Sequence, residues 1–260
     1  MSDALPVIAV IGGTGAAGYG YAADWWSLGI LPLAYIVRSN AITVMAVGIF
    51  IVGLAWKAGT WADDSENFFP VFGILLLSAA VIYAIGMLHL VREKIKFHAG
   101  PYLASGVLLA IGVTYILTFE EIFHELGRDF YNLQSVSGSQ IVLTSIVTII
   151  AAVALGMTYR LSSRINRNSA PRFAETAVVV LVVVLGWVLV TLPFNSTGFY
   201  VVAFNLLLVL LIFGTIALGI LNKREPLVNI GIIFFVIDLA TRYIELTVDM
   251  LDTSLAFIVG

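Results

Sequence analysis

The sequence of 260 residues contains no cysteine. Disulfides, thiolate nucleophiles and Cys-ligated zinc or iron–sulfur centres are thereby excluded. Histidine is nearly as scarce, with only His89, His98 and His124. A multi-histidine metal or haem centre has few positions to draw on, and no cofactor or metal is expected. Charge is thin as well. Asp, Glu, Lys and Arg make up 11% of the chain, where an ordinary soluble domain carries about 25%. The net charge of −3 offers no basic surface for nucleic acid. The start, Met1-Ser-Asp-Ala4, lacks the basic segment of a cleavable signal peptide, so the first apolar stretch is expected to be retained.

What the chain has instead is hydrocarbon. Hydrophobic residues account for 60% and the mean hydropathy is +1.04, against roughly 45–50% apolar residues in soluble domains. A soluble globule and a disordered chain are both excluded. The expected fold is all-α, a polytopic transmembrane helix bundle forming one integral membrane domain over residues 1–260. A span needs about 20 apolar residues. Seven stretches between residues 41 and 246 qualify: Ala41–Trp56, Phe69–Leu90, Tyr102–Phe119, Ser139–Tyr159, Phe173–Leu192, Gly198–Leu221 and Leu227–Leu246. Residues 5–37 read as a short Gly-rich hairpin, either two short spans or one tilted, broken one, made of Leu5–Tyr21 and Trp25–Val37 with Pro32 inside it. That brings the count to about nine. Residues 254–260 read as the start of a truncated tenth span.

The loops set the orientation. Arg38, then Arg92, Lys94 and Lys96, then Arg160, Arg164, Arg167 and Arg172, then Lys223 and Arg224 fall in every second loop, ten of the thirteen Lys and Arg residues. The intervening loops carry Asp63, Asp64 and Glu66, then Glu120, Glu121, Glu125 and Asp129, then Asp249 and Asp252. Basic loops stay in the cytoplasm, so the amino terminus is expected there and the acidic loops outside. Trp25, Trp26, Trp56 and Trp61 fall at the outer boundary, where amphipathic rings collect.

One span is chemically loaded. Asp238, Arg242, Glu245 and Asp249 lie within an arc of about 60° on an ideal helix. An ionisable residue inside a span costs about 2.5–3.5 kcal/mol and faces protein or water. Arg242 is the i+4 partner of Asp238 and the i−3 partner of Glu245. The stripe reads either as an internally neutralised packing device or as an ion relay, with Asn205 or Asn229 facing it. A second group, Glu120, Glu121, His124 and Glu125, contains one E-x-x-H pair. Di-iron bundles need two such pairs, and a solvated face on an amphipathic interfacial helix over Phe119–Gly138 fits better. Gly13-Thr-Gly15-Ala-Ala-Gly18 matches the dinucleotide fingerprint. No alternating strands and helices follow it, and close helix packing explains the glycines. His89, beside the Arg92–Lys96 loop, reads as an interfacial polar residue.

The late segment Leu227-Val-Asn229-Ile-Gly231, followed by Asp238-Leu-Ala-Thr241-Arg242-Tyr243-Ile-Glu245, resembles a bacterial family of membrane proteins, domain of unknown function 2157. The early Leu31-Pro-Leu-Ala-Tyr35 with Arg38-Ser39 and a helix ending in Trp56 resembles the same family. The resemblance implies a multi-span protein of the bacterial inner membrane. It also implies one further helix with a basic tail, and it supplies no catalytic residues. The leading expectation is a non-catalytic scaffold or accessory subunit. Its partners would be the lipid bilayer and other membrane subunits or a second copy. The alternatives are an ion-coupled transporter using Asp238, Arg242 and Glu245, and a membrane-embedded enzyme at the outer face.

Overall fold

The computed structural model describes residues 29–65, 69–92, 94–122, 138–163, 170–191 and 197–259. The Gly13–Gly18 motif and most of the segment after Phe119 (with His124, Glu125 and Asp129) lie outside these residues.

The described residues form helices and no strand. Helix α1 covers residues 29–37. It is followed by α2 (Asn40–Ser65), α3 (Phe69–Val91), a 3₁₀ turn (Lys96–His98), α4 (Ala99–Ile116), α5 (Gly138–Ser163), α6 (Ala170–Thr191), α7 (Thr197–Leu221) and α8 (Glu225–Val259). Each of the seven apolar stretches between residues 41 and 246 falls on one of α2 to α8. Among the described residues, six helical segments are long and apolar enough to cross a membrane: Asn40–Gly59, Phe69–Val91, Lys96–Ile116, Ile141–Leu161, Gly198–Leu221 and Glu225–Val248. Glu175–Thr191 is apolar but shorter.

Helix starts follow backbone chemistry. Pro70, Pro101 and Pro226 all sit in the first turn of their helices, where the missing N–H has no intrahelical acceptor to satisfy. Two tight turns share one design. Arg38 (φ 55°) and Lys223 (φ 54°) adopt the left-handed conformation. The next amide then reaches back five residues, Ser39 N to Ala34 O at 3.1 Å and Arg224 N to Gly219 O at 2.7 Å. This is the Schellman closure, in which glycine is the usual left-handed residue. Here a basic side chain occupies it both times.

The expected break after Leu246 is absent. α8 runs unbroken for 35 residues, through Asp249 and Asp252 to Val259. Residues 254–259 therefore continue the last helix and do not begin a separate one. Charges suggested a loop there, but no glycine or proline lies between Ile232 and Val259, and charge alone does not terminate a helix.

α3 is the hub, packing on α4, α5 and α6 as well as α2. In its apolar stretch 67% of residues are buried, against 11% for α8. Close approach comes from glycine. A Cβ on Gly73 of α3 would stand 2.7 Å from the Gly186 carbonyl of α6, and one on Gly106 of α4 would stand 2.8 Å from the Tyr83 amide of α3. The outward faces of α5, α7 and α8 are apolar, with Ile149, Val153, Leu206, Leu210, Leu239 and Leu246 all exposed. So much exposed hydrocarbon suits a non-aqueous surrounding.

Candidate functional site

The α8 stripe is the most elaborate polar constellation on the described helices. Asp238 lies roughly 15 Å from the Val248 end of its apolar stretch at 1.5 Å per residue. Arg242 Nη1 donates to Glu245 Oε2 at 2.6 Å and Nη2 donates to Asn205 Oδ1 at 2.6 Å. Its Nε stands 3.7 Å from Asp238 Oδ1, an ion pair without a hydrogen bond. The guanidinium carbon lies 5.7 Å from the centre of the Phe119 ring, within cation–π range. Asn205 is fixed by its other side, where Nδ2 donates to the carbonyls of Val201 (2.8 Å) and Thr118 (3.3 Å). Arg242 thus fastens α8 to α7 and to the end of α4.

A second bond reinforces this junction. Thr241 Oγ1 donates its one proton to the Ile237 carbonyl at 2.9 Å. The 2.6 Å contact with Tyr115 must therefore have the tyrosine hydroxyl as donor. Asp238 Oδ1 is buried and accepts no hydrogen bond, an uncommon condition for a carboxylate oxygen.

The sequence placed Asp238, Arg242 and Glu245 on one stripe, and the structure brings them together with Asn205. Asn229, the other candidate, is exposed. Asp249 lies on α8, and its side chain is outside the described set. Glu120 and Glu121 are exposed at the start of a short helical stretch. Their grouping with His124 and Glu125 falls outside the described residues. Phe119 and Tyr115 were missed because their roles depend on where α4 ends relative to α8, which spacing within either segment does not encode.

The opposite end holds two further polar groups. His89 lies in the last turn of α3 and is buried by its neighbours. Its Nδ1 lies 2.7 Å from the Ile85 carbonyl, which can only accept, so Nδ1 carries a proton, and in the neutral form of the ring Nε2 is the acceptor. Tyr35 then donates to Nε2 at 2.6 Å, and Tyr102 donates to the Tyr35 oxygen at 3.1 Å. The same logic orients His98. Thr43 gives its proton to the Ser39 carbonyl at 3.0 Å, so His98 Nδ1 donates to Thr43 Oγ1 at 2.9 Å. Tyr35 also packs its ring 4.5 Å from that of His98. These bonds pin α1 and α2 to α3 and α4. The third group centres on Glu175 of α6, which is buried and accepts from Arg224 Nη1 at 2.8 Å and from Asn222 Nδ2 at 2.9 Å. Arg224 was read only as a topology charge. Its pairing was hidden because Glu175 is distant in sequence.

Chemically, the α8 junction can hold an anion-balanced arginine or pass a proton by way of Asp238. The histidine group forms a directional hydrogen-bond chain with no metal-like geometry. Comparison of the chain with protein-family models, curated proteins and solved structures returns no match.

Proposed function

We propose that the protein is a non-catalytic scaffold or accessory subunit of a membrane assembly. In this reading it crosses the bacterial inner membrane about nine times, with the amino terminus and the basic loops in the cytoplasm. The resemblance of the T-R-Y-I-E segment to the domain of unknown function 2157 family fits this setting and adds no chemistry to it. The observation that carries the proposal is a seam on α8. Ile232, Val236, Leu239, Tyr243, Leu246 and Met250 are all exposed, at alternating spacings of four and three residues. That alternation is the register with which one helix packs along another. Arg242 meanwhile turns toward Glu245 and Asn205 inside the chain, which leaves the seam as the side offered to a partner.

Single cysteines test this without background, because the chain has none. In native membranes, Leu239→Cys and Leu246→Cys should cross-link to a neighbouring helix, whereas Ile244→Cys, exposed on another face, should not. Equal reaction at all three positions would overturn the seam.

A second reading, ion-coupled transport, is favoured by the unbonded buried oxygen of Asp238 and by Asn205 on Arg242. It requires Asp238→Asn to abolish ion flux in proteoliposomes. The scaffold reading requires cross-linking and folding to survive that substitution.

A further inference from the structure

A cavity of about 350 Å³ opens at the end of the bundle opposite the Arg242 junction, between the 3₁₀ turn, the start of α4 and the α7–α8 turn. Lys96, Lys223 and Arg224 line it, against one carboxylate, Glu225. Glu175 stands behind Arg224 and fixes its guanidinium at 2.8 Å. Lys96 and Lys223 are exposed, and among the described residues neither forms an ion pair. The two lysines come from segments more than a hundred residues apart in the chain. They are brought to one space by folding, not by a run of like charge.

Three further features shape that space. The floor is apolar, made by Leu90, Leu103 and Leu227. The 3₁₀ turn runs directly into α4 at the rim, with the Ala99 N–H donating to the Lys96 carbonyl, and no side chain caps the junction. Gly100 lies in the lining with open space where a Cβ would point. Lys223 also keeps its left-handed conformation where glycine would be unstrained.

We propose that this cavity binds a phosphate group, that of an anionic phospholipid headgroup. The phosphate sits between Lys96 and Lys223, with Arg224 held in place by Glu175. The apolar floor takes the glycerol and first methylenes, which free phosphate lacks. The volume falls in the range of small-ligand sites. The proposal is independent of the α8 seam and requires only that this end of the bundle meets a lipid headgroup layer.

The test is native mass spectrometry of the detergent-purified full chain, titrated with phosphatidylglycerol or phosphatidylcholine. Phosphatidylglycerol should be retained in preference to phosphatidylcholine. Lys96→Ala with Lys223→Ala should weaken its retention roughly tenfold or more, and the double arginine variant should restore it. Lys223→Gly removes a cation while relaxing the backbone, so it should lose lipid with an unchanged or raised melting temperature. Arg92→Ala, an exposed cation outside the cavity, should retain lipid normally. Inorganic phosphate serves as the competitor. Displacement of phosphatidylglycerol only at large excess supports the lipid as the source. Tight binding of inorganic phosphate alone, with no lipid retained, overturns the lipid assignment. Equal retention of both lipids, or equal loss in Arg92→Ala and in the lysine variants, overturns the site.

Discussion

Arg242 has four neighbours and Asp238 has one, and that asymmetry decides what each substitution does. Arg242→Gln leaves the buried Asp238 oxygen uncompensated and releases Asn205. A loss of about 2–4 kcal/mol is expected, read as a lower melting temperature in detergent. Asp238→Asn with Arg242→Gln should recover much of that loss, because the uncompensated charge is then gone. A double-mutant cycle gives the coupling directly. At the other end, Tyr35→Phe removes the donor to His89 Nε2 and the acceptor for Tyr102. It should cost about 1–3 kcal/mol, whereas Tyr243→Phe, exposed on α8, should be silent in the same melt. Residues of one helix were legible in the sequence, since helical spacing alone places Asp238, Arg242 and Glu245 side by side. Partners from other helices were not. His89 lies beside a basic loop in sequence, and only the docking of α1 over it explains why it is buried.

Helices were the most readable level, because hydrophobic length marks each of α2 to α8. Their ends were harder to read. The Asp249–Asp252 pair looks like a loop, yet without glycine or proline the backbone has no reason to leave the helix. Neighbour choice was not readable at all, because apolar residues surround each helix and do not say which side faces protein. The glycines settle it. Gly73 and Gly186 meet across α3 and α6, and Gly106 meets the backbone of α3. Gly106→Leu should therefore force the helices apart, at about 1–3 kcal/mol or more. Gly112→Leu, in the same helix with nothing within 4 Å of its Cβ direction, should leave the melting temperature nearly unchanged.

For the molecule as a whole, the alternation of basic and acidic loops predicts which end faces which compartment. The lack of native cysteine makes this directly measurable. Lys94→Cys and Glu121→Cys, both exposed, should react with an impermeant maleimide from opposite sides of intact cells. The Glu121 position should label from outside. Labelling of both from one side would contradict the assigned orientation. The charge pattern carries that information because insertion machinery reads local charge, whereas the packing order of the helices is set by shape.

The uneven burial of the helices has its own consequence. α3 is enclosed, while α8 packs mainly on α7 and α4 and is secured on its polar side largely through Arg242 and Thr241. Such a bundle has no single opening energy. Its parts should exchange with solvent as separate cooperative units, with the peripheral helix opening at lower free energy than the hub. Harsh detergent should therefore strip α8 away first, leaving a residual folded body around α3, α4 and α6. Hydrogen exchange should reveal this as early loss of protection over α8, ahead of global melting. A partner helix seated along the seam would raise the opening energy of α8 and bring its exchange closer to that of the hub.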